Sequence, residues 1–503
     1  MNNRKICVSV CAETADEFIK NIKRAAEFAD VIELRFDCLE SKQIHKTFAL
    51  LSSNRPLLLT YRPKEQGGKT DADHAERLAF WNAFVLNGSL DLRKFWIDCE
   101  FDLKSQISNL SFRKIISFHD FSNVPQNLNQ IYEDMSVDLD VIKIAVQAGD
   151  AADSIAVWKL LEKAKSENKR IIPIAMGASG VWTRILGLAH GAFMTYAALD
   201  SGKETADGQI TAKDLIETYR VKELDENTEI YGIIGNPIAH SVSPFMHNAA
   251  FKFHDLDAVY IPFEVKNLDE FIKTFLKEVH LNFKGFSVTI PHKQAIIEYL
   301  DEIAETAKTI GAVNTVKIEN GKLLGYNTDA EGFIEPLKTA YGDLKNAKVA
   351  VIGAGGAARA LVYALKNENA EATLFARNLA KAKSFTEDFQ IELKELPKTE
   401  DQRPKTDFAN FDIVVNATPL GTKGALENET VLSAEQLEGV KLVYDLVYNP
   451  LETRLMSEAK KASVPAIGGL EMLIAQAAAQ QKIWTGKIAP IEKMRQAALL
   501  KLE

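Results

Sequence analysis

Cysteine is scarce in this chain: Cys7, Cys11, Cys38 and Cys99 are the only four in 503 residues. No two form a CxxC, so neither a disulfide framework nor a zinc ribbon is expected, and the usage is that of a reducing compartment. Metal-ligand spacing is missing too. The nine histidines contain no HExxH, and His240, His247 and His254 have no ligating neighbours, so no metal site is expected. No apolar run approaches the roughly 18 residues that a membrane-spanning helix needs. The opening MNNRKICVSV has too short an apolar run for a signal peptide and lacks a transit-peptide composition. There is no excess of positive charge either. Lys and Arg total 60 against 69 Asp and Glu, a net −9, which repels phosphate backbones and excludes nucleic acid as an expected partner. No sequence repeat or low-complexity tract is present. A soluble, cytoplasmic chain is expected; a plastid is compatible with a leader removed beforehand.

What is present is ample for folding. Hydrophobic residues make up 46% and charged residues 26%, a globular composition, and the length suggests about three domains. Short β-branched or aromatic runs alternate with amphipathic stretches over the first 220 residues. Candidate strands lie at 5–10, 31–36, 57–61, 95–99, 114–118, 141–146, 171–175 and about 192–197. Eight such strands without a glycine-rich first turn predict a closed (β/α)8 barrel over residues 1–222 rather than an open doubly wound sheet. The charged stretch VKELDENT at 221–228 shows no apolar face and is the expected linker. A second α/β region, 229–338, follows. At Lys348 a strand, a glycine turn and a helix open a third, Rossmann-type lobe, 339–479, and a C-terminal helix at about 480–503 is expected to return to the second region.

Active sites of these barrels lie at the C-terminal ends of the strands, so charged residues within apolar strands are informative. Glu33, Arg35 and Asp37 stand at i, i+2 and i+4 and are expected to face one side. Arg62 ends the third strand, His119 the fifth, and Lys143 sits inside VIKIAV. Burial and neighbouring arginines are expected to depress the Lys143 pKa, making its amine a nucleophile toward carbonyls, with His119 shuttling protons. The alternative is a core ion pair of Lys143 with Glu33 or Asp37.

These residues carry a resemblance. ELRFD at 33–37, TYR at 60–62 with QGG at 66–68, SFHDF at 117–121, IKIA at 142–145 and ADGQI at 206–210 are similar to type I 3-dehydroquinate dehydratase. The resemblance implies an imine-forming Lys143, proton transfer by His119, and substrate contacts from Glu33, Arg35, Arg62, Met176, Arg184, Thr205 and Gln209. Two positions depart from the family pattern: Gln66 replaces a frequent glutamate, and Thr205 a frequent serine.

In the third lobe, GAGGAARA at 353–360 follows the strand VAVI and opens a helix, a turn that can hold a pyrophosphate or simply pack a helix on a sheet. The next strand ends in Ala376-Arg377-Asn378 with no acidic residue, which favours NADP over NAD. In the middle lobe, Ser241 and Ser243 stand before a helix, where they can hold a carboxylate or cap that helix. Lys293 and Asp329 can together deliver a proton to a carbonyl oxygen if the fold brings them together.

GNPIAHSVSP, VTIPHK, GAVNTV, GYNTDAEG, GAGGAARA, NATP and GGLEMLIAQA resemble, in order, shikimate dehydrogenase over residues 229–503. The resemblance implies a catalytic pair at Lys293 and Asp329, with substrate contacts at Ser241, Ser243, Thr289, Asn314, Tyr448 and Gln476. Cofactor contacts fall on Gly353, Ala354, Gly355, Gly356, Ala357, Arg377, Thr418 and Gly469. Ser287 stands where an asparagine is common, and Ala376 where the family has a second polar residue. The product of the first half would be the substrate of the second, so the chain resembles bifunctional enzymes that turn 3-dehydroquinate into shikimate with NADPH. A quinate dehydrogenase in place of the second half, or a non-catalytic quinate-responsive regulator, are the alternatives.

Overall fold

The computed structural model of the chain describes residues 4–48, 53–86, 94–108, 110, 112–136, 140–396 and 408–502. It divides into two compact units, Met1–Ala239 with Asp257–Phe283, and His240–Leu256 with Lys284–Glu503.

The first unit contains a (β/α)8 barrel. Its strands are β1 (Ile6–Val10), β2 (Val31–Arg35), β3 (Leu57–Thr60), β4 (Phe95–Glu100), β5 (Arg113–Asp120), β6 (Val141–Gln147), β7 (Ile171–Met176) and β8 (Thr195–Ala198), all within three residues of expectation. From β1 to β7 each pairs with the next in parallel, β1 also pairs with β8, and a short β9 (Ile210–Thr211) adds beside β8. At the remaining seam the Phe193 N–H donates to the Ile171 carbonyl at 2.8 Å.

Side-chain alternation sorts the barrel interior into layers. Cys7, Val31, Leu58, Ile115, Val141 and Ile172 form an apolar floor. Two residues further toward the C-terminal end, the same faces present Ser9, Glu33, Thr60, Ser117 and Lys143, with Asp98 paired in register with Thr60. The polar layer therefore sits where barrel chemistry is carried out.

Three expectations are corrected. Cys11 and Cys38 form a disulfide with a Cα–Cα distance of 5.4 Å. Pairing Val10 with Leu34 sets the ends of β1 and β2 side by side, and the turn after β2 brings Cys38 back within disulfide reach. Asp37 is not on the strand: β2 stops at Arg35 and a 3-10 turn, Phe36–Cys38, folds Asp37 onto Arg35. The stretch 221–228 is no free linker. Val221, Leu224 and Thr228 are buried, and Lys222 pairs with Asp30 at 2.6 Å. Beyond it, β10 (Glu229–Gly235) and β11 (Ala258–Glu264) pair in parallel and share the barrel's compact unit. There the Trp158 Nε1–H donates to the Val279 carbonyl at 3.1 Å.

In the second unit, β12 (Phe283–Val288), β14 (Thr315–Glu319) and β15 (Lys322–Tyr326) are successively antiparallel, with β13 (Glu302–Ile303) parallel to β15. A separate all-parallel sheet follows, made of β16 (Lys348–Ile352), β17 (Glu371–Ala376), β18 (Glu392–Glu395), β19 (Ile413–Asn416), β20 (Leu442–Asp445) and β21 (Ala466–Ile467). Its order, β18-β17-β16-β19-β20-β21, is the dinucleotide-binding order. The helix Ile491–Leu502 packs Met494 and Ala498 against Met246 and Ala250 of the helix Ser243–Phe253. Among the described residues no helix is long and apolar enough to cross a membrane, and no group of three or more His, Cys, Asp or Glu is placed to hold a metal ion.

Candidate active sites

The barrel mouth holds a cavity lined by Glu33, Arg35, Arg62, His119, Lys143, Met176, Arg184, Thr205 and Gln209, together with Gln66, Phe121 and Tyr196. The nine barrel residues to which the resemblance gives a catalytic or substrate role meet there, while Asp37 lies outside the lining. Lys143 pairs with neither Glu33 nor Asp37. Its Nζ lies 2.7 Å from Asp98 Oδ2 and 4.1 Å from the Tyr196 ring centroid. Glu33 instead accepts from Ser9 Oγ and Thr60 Oγ1, and Asp37 accepts from Arg35 Nε and Nη2 at 2.9 and 2.7 Å.

Asp98 and Glu100 went unremarked in the sequence. Both lie on β4 at the parity that faces inward. Asp98 Oδ1 is 2.8 Å from Arg62 Nη2, and Glu100 Oε1 accepts from Arg62 Nη1 at 3.0 Å. Burial opposes the Arg62 charge, but the two carboxylates outweigh it and hold its pKa above the ordinary guanidinium value. Asp98 shows the reverse balance: Arg62 and Lys143 overcome burial and drive its pKa far below the carboxylate range. His119 is pushed well below the usual imidazole value, first by desolvation and then by the charges of Arg62 and Lys143. A neutral imidazole at neutral pH is a competent base. Its Nδ1 meets Gln66 Oε1 at 3.3 Å, and Phe121 stacks on the ring.

The glycines of QGG have a steric reason. Gly67 takes φ +78°, and a Cβ there would sit 2.1 Å from the Phe121 ring; a Cβ on Gly68 would sit 1.8 Å from the Arg62 carbonyl oxygen. Arg184 is buried with its Nη2 on the Asp207 carbonyl, while its Nε and Nη1 have no hydrogen-bond partner. Desolvation lowers its pKa to about 10. Unmet guanidinium donors beside a cavity suit a carboxylate. Thr205 and Gln209 hydrogen-bond each other through Oγ1 and Nε2 at 3.1 Å.

In the second unit, Lys293 Nζ and Asp329 Oδ2 lie 2.5 Å apart. Asp329 begins the helix Asp329–Tyr341, and Asn314 Nδ2 donates to Asp329 Oδ1 at 2.8 Å and to Thr328 Oγ1 at 2.9 Å. Three separate motifs thus build one polar cluster. Ser243 starts its helix after the cap residue Val242, and the Ser243 N–H donates to Ser241 Oγ at 3.3 Å. Neither serine is the cap residue itself. Thr289 lies just beyond β12, and its carbonyl accepts from the His292 N–H. Ser287 is buried and donates to Gln480 Oε1 at 3.1 Å. Tyr448 packs on the cluster of Val242, Met246 and Ile474, and burial raises its hydroxyl pKa. Gln476 lies on the helix Gly469–Thr485 and donates to the Leu473 carbonyl.

The glycine turn joins β16 to the helix Gly356–Asn367. Gly353 has φ +111°, and a Cβ there would meet Thr418 Cγ2 at 2.8 Å, whereas one on Gly355 would meet nothing within 4 Å. Ala354 and Ala357 are partly buried in the same turn. A Cβ on Gly356 would lie 3.8 Å from Lys293 Cδ, so the helix N-terminus adjoins the Lys293–Asp329 pair. Arg377 is exposed beyond β17, in a depression shared with Asn378, Leu379 and Glu395. Thr418 Oγ1 donates to Asn416 Oδ1 at 2.6 Å, and the Gly469 N–H donates to the Val447 carbonyl.

Four family models match the chain. They are Type I 3-dehydroquinase over residues 6–226, Shikimate dehydrogenase substrate binding domain over 233–316, Shikimate / quinate 5-dehydrogenase over 335–450, and Shikimate 5'-dehydrogenase C-terminal domain over 469–499. The chain is 34% identical to the chloroplastic bifunctional 3-dehydroquinate dehydratase/shikimate dehydrogenase of Arabidopsis thaliana, over 98% of this chain and 83% of that protein. Its second half is 42% identical to shikimate dehydrogenase (NADP(+)) of Methanococcus maripaludis, covering 54% of this chain and 98% of that one. A crystal structure of shikimate dehydrogenase in complex with NADP+ matches with a TM-score of 0.52 and 39% identity, over 56% of this chain and 98% of that one.

Proposed function

The chain belongs to the family of bifunctional 3-dehydroquinate dehydratase/shikimate dehydrogenases, and on that premise we propose that Lys143 and Lys293 are the centres of its two reactions. The barrel is the lyase that dehydrates 3-dehydroquinate to 3-dehydroshikimate. The second half is the NADP-dependent oxidoreductase that reduces 3-dehydroshikimate to shikimate.

In the barrel, Lys143 passes its proton to His119 and attacks the substrate ketone. His119 returns that proton to the departing hydroxyl, and loss of water gives a protonated imine, which acidifies the adjacent C–H. Neutral His119 takes that proton, the β-hydroxyl departs as water, and hydrolysis of the imine returns Lys143. The unmet donors of Arg184 bind the substrate carboxylate. Arg35, Glu33, Thr205 and Gln209 bind its hydroxyls, Arg62 holds the carboxylates of β4 in place, and Met176 packs beside the lysine. The observation that carries this reading is Lys143, paired with Asp98 inside the cavity it shares with His119.

The glycine turn fits a dinucleotide: Gly353 is forced by its positive φ and by Thr418, and the space at Gly355 is open. Gly353, Ala354, Gly355, Gly356, Ala357, Thr418 and Gly469 would line the cofactor, with Arg377 on the 2′-phosphate. NADPH supplies the hydride when bound. Lys293 donates a proton to the carbonyl oxygen as it becomes a hydroxyl, and Asp329, oriented by Asn314, holds Lys293. Ser241, Ser243, Thr289, Tyr448 and Gln476 bind the substrate carboxylate and hydroxyls.

The domains are assigned as 1–222 for the dehydratase, 229–338 with the C-terminal helix for the substrate-binding lobe, and 339–479 for the NADP lobe. The partners are small molecules and not nucleic acid. The compartment is the cytoplasm, or the plastid, the location named for the Arabidopsis relative. Replacing Lys143 by Ala tests the barrel reading: dehydration is lost while reduction of 3-dehydroshikimate persists, and borohydride no longer traps a substrate adduct. Normal dehydration by that variant would refute the imine.

A further inference from the structure

The Cys11–Cys38 disulfide lies at the end of the barrel that carries the Lys143 cavity. Cys11 is the first residue past β1, and Cys38 closes the turn after β2. In a barrel of parallel strands both positions belong to the catalytic face. The turn that the bridge tethers carries Asp37. That carboxylate grips Arg35 with two bonds and accepts from the Lys69 N–H at 3.0 Å, while Arg35 Nη2 donates to the Gly67 carbonyl at 3.4 Å. Arg35, Gln66 and Gly67 all line the cavity. Bridge, Asp37, Arg35 and the Gln66–Lys69 segment therefore form one continuous contact path into the site.

Neither reaction of the chain uses a disulfide, and in a reducing compartment a disulfide is more often a redox sensor than a structural staple. Both sulfurs belong to half-buried residues. The remaining cysteines, Cys7 and Cys99, are fully buried, and burial pushes their thiols up, so they are inert to exchange.

We propose that Cys11–Cys38 is a reversible thiol–disulfide site whose opening by a dithiol reductant loosens the Asp37 turn and weakens substrate binding in the barrel. In the step, one thiolate of the reductant attacks a bridge sulfur and breaks the Cys11–Cys38 bond. The second reductant thiol then displaces the first sulfur. Two electrons and two protons pass to the protein, leaving two cysteine thiols and the reductant as its own disulfide.

The test uses the full chain with and without dithiothreitol, reading the dehydratase KM, and the reduction of 3-dehydroshikimate in the same sample as an internal control. In denaturant, two thiols per chain should titrate before reduction and four after. Reduction should raise the dehydratase KM by about three- to tenfold through lost preorganisation, with kcat and the second activity little changed. The double variant Cys11→Ser, Cys38→Ser should show the raised KM of the reduced protein and no response to reductant. Four titratable thiols without reductant, or the same KM in both redox states, would overturn the proposal. The proposal rests on the barrel cavity being the dehydratase site. Failure of that reading would appear as no dehydration in either redox state, whereas failure of the proposal leaves dehydration equal in both.

Discussion

One carboxylate, Asp98, holds both Lys143 and Arg62, with Oδ2 at 2.7 Å from the lysine and Oδ1 at 2.8 Å from the guanidinium. Asp98 is fully buried. It is therefore placed to orient the Lys143 amine.

Asp98→Asn keeps the shape and removes the charge. The dehydratase kcat should fall by roughly 10²-fold, the scale of misplacing a catalytic group, while reduction of 3-dehydroshikimate by the same preparation is retained. Steady-state assays of both reactions check this, and an unchanged dehydratase kcat would leave Asp98 a packing residue.

The pH profile of dehydration follows from His119. The base form is the neutral imidazole, and desolvation with the neighbouring cations lowers the pKa well below 6.5. Activity should therefore persist as pH falls through 6.5 and decline only below it. Gln66→Glu sets a carboxylate against Nδ1, which favours the imidazolium. The acid limb should then move to higher pH, and a limb that stays in place would show that Gln66 does not govern His119.

For the second site, Lys293→Met and Asp329→Asn should each lower the kcat for 3-dehydroshikimate reduction by roughly 10²-fold or more. Dehydration should be unaffected in both. Because Asn314 orients Asp329 through a 2.8 Å bond, Asn314→Ala should give a smaller loss in the same parameter.

Arg377→Ala should raise the KM for NADPH by about tenfold or more, the worth of a charge-assisted contact to a phosphate. The KM for NADH should change little. Equal effects on both cofactors would remove Arg377 from the 2′-phosphate. Glu395 shares the depression with Arg377, so Glu395→Gln should lower the NADPH KM modestly.

The barrel was legible because its strands are short apolar runs in which Glu33, Arg35, His119 and Lys143 stand at inward-facing positions. Lys143 in VIKIAV and Glu33 in VIELRF faced the same interior before any pairing was known. Asp98 and Glu100 obey the same rule at i and i+2 in FWIDCE, so a signal existed for them, hidden by the aromatic start of that strand. The apparent linker was also readable: Val221, Leu224 and Thr228 are spaced by three and four residues, a buried stripe masked by the surrounding charges. The Cys11–Cys38 bridge was not legible. It depends on the pairing of Val10 with Leu34 and on a 3-10 turn that ends a strand early, both products of tertiary packing. The meeting of Lys293 with Asp329 likewise needed the fold, since 36 residues separate them.

The central claim is that both sites work in series on one chain. The most direct measurement is to incubate the purified protein with 3-dehydroquinate and NADPH and identify the product by mass. Shikimate, formed with NADPH consumed, is the predicted result. Quinate, which retains the water, or unchanged 3-dehydroquinate with NADPH intact, would contradict the account.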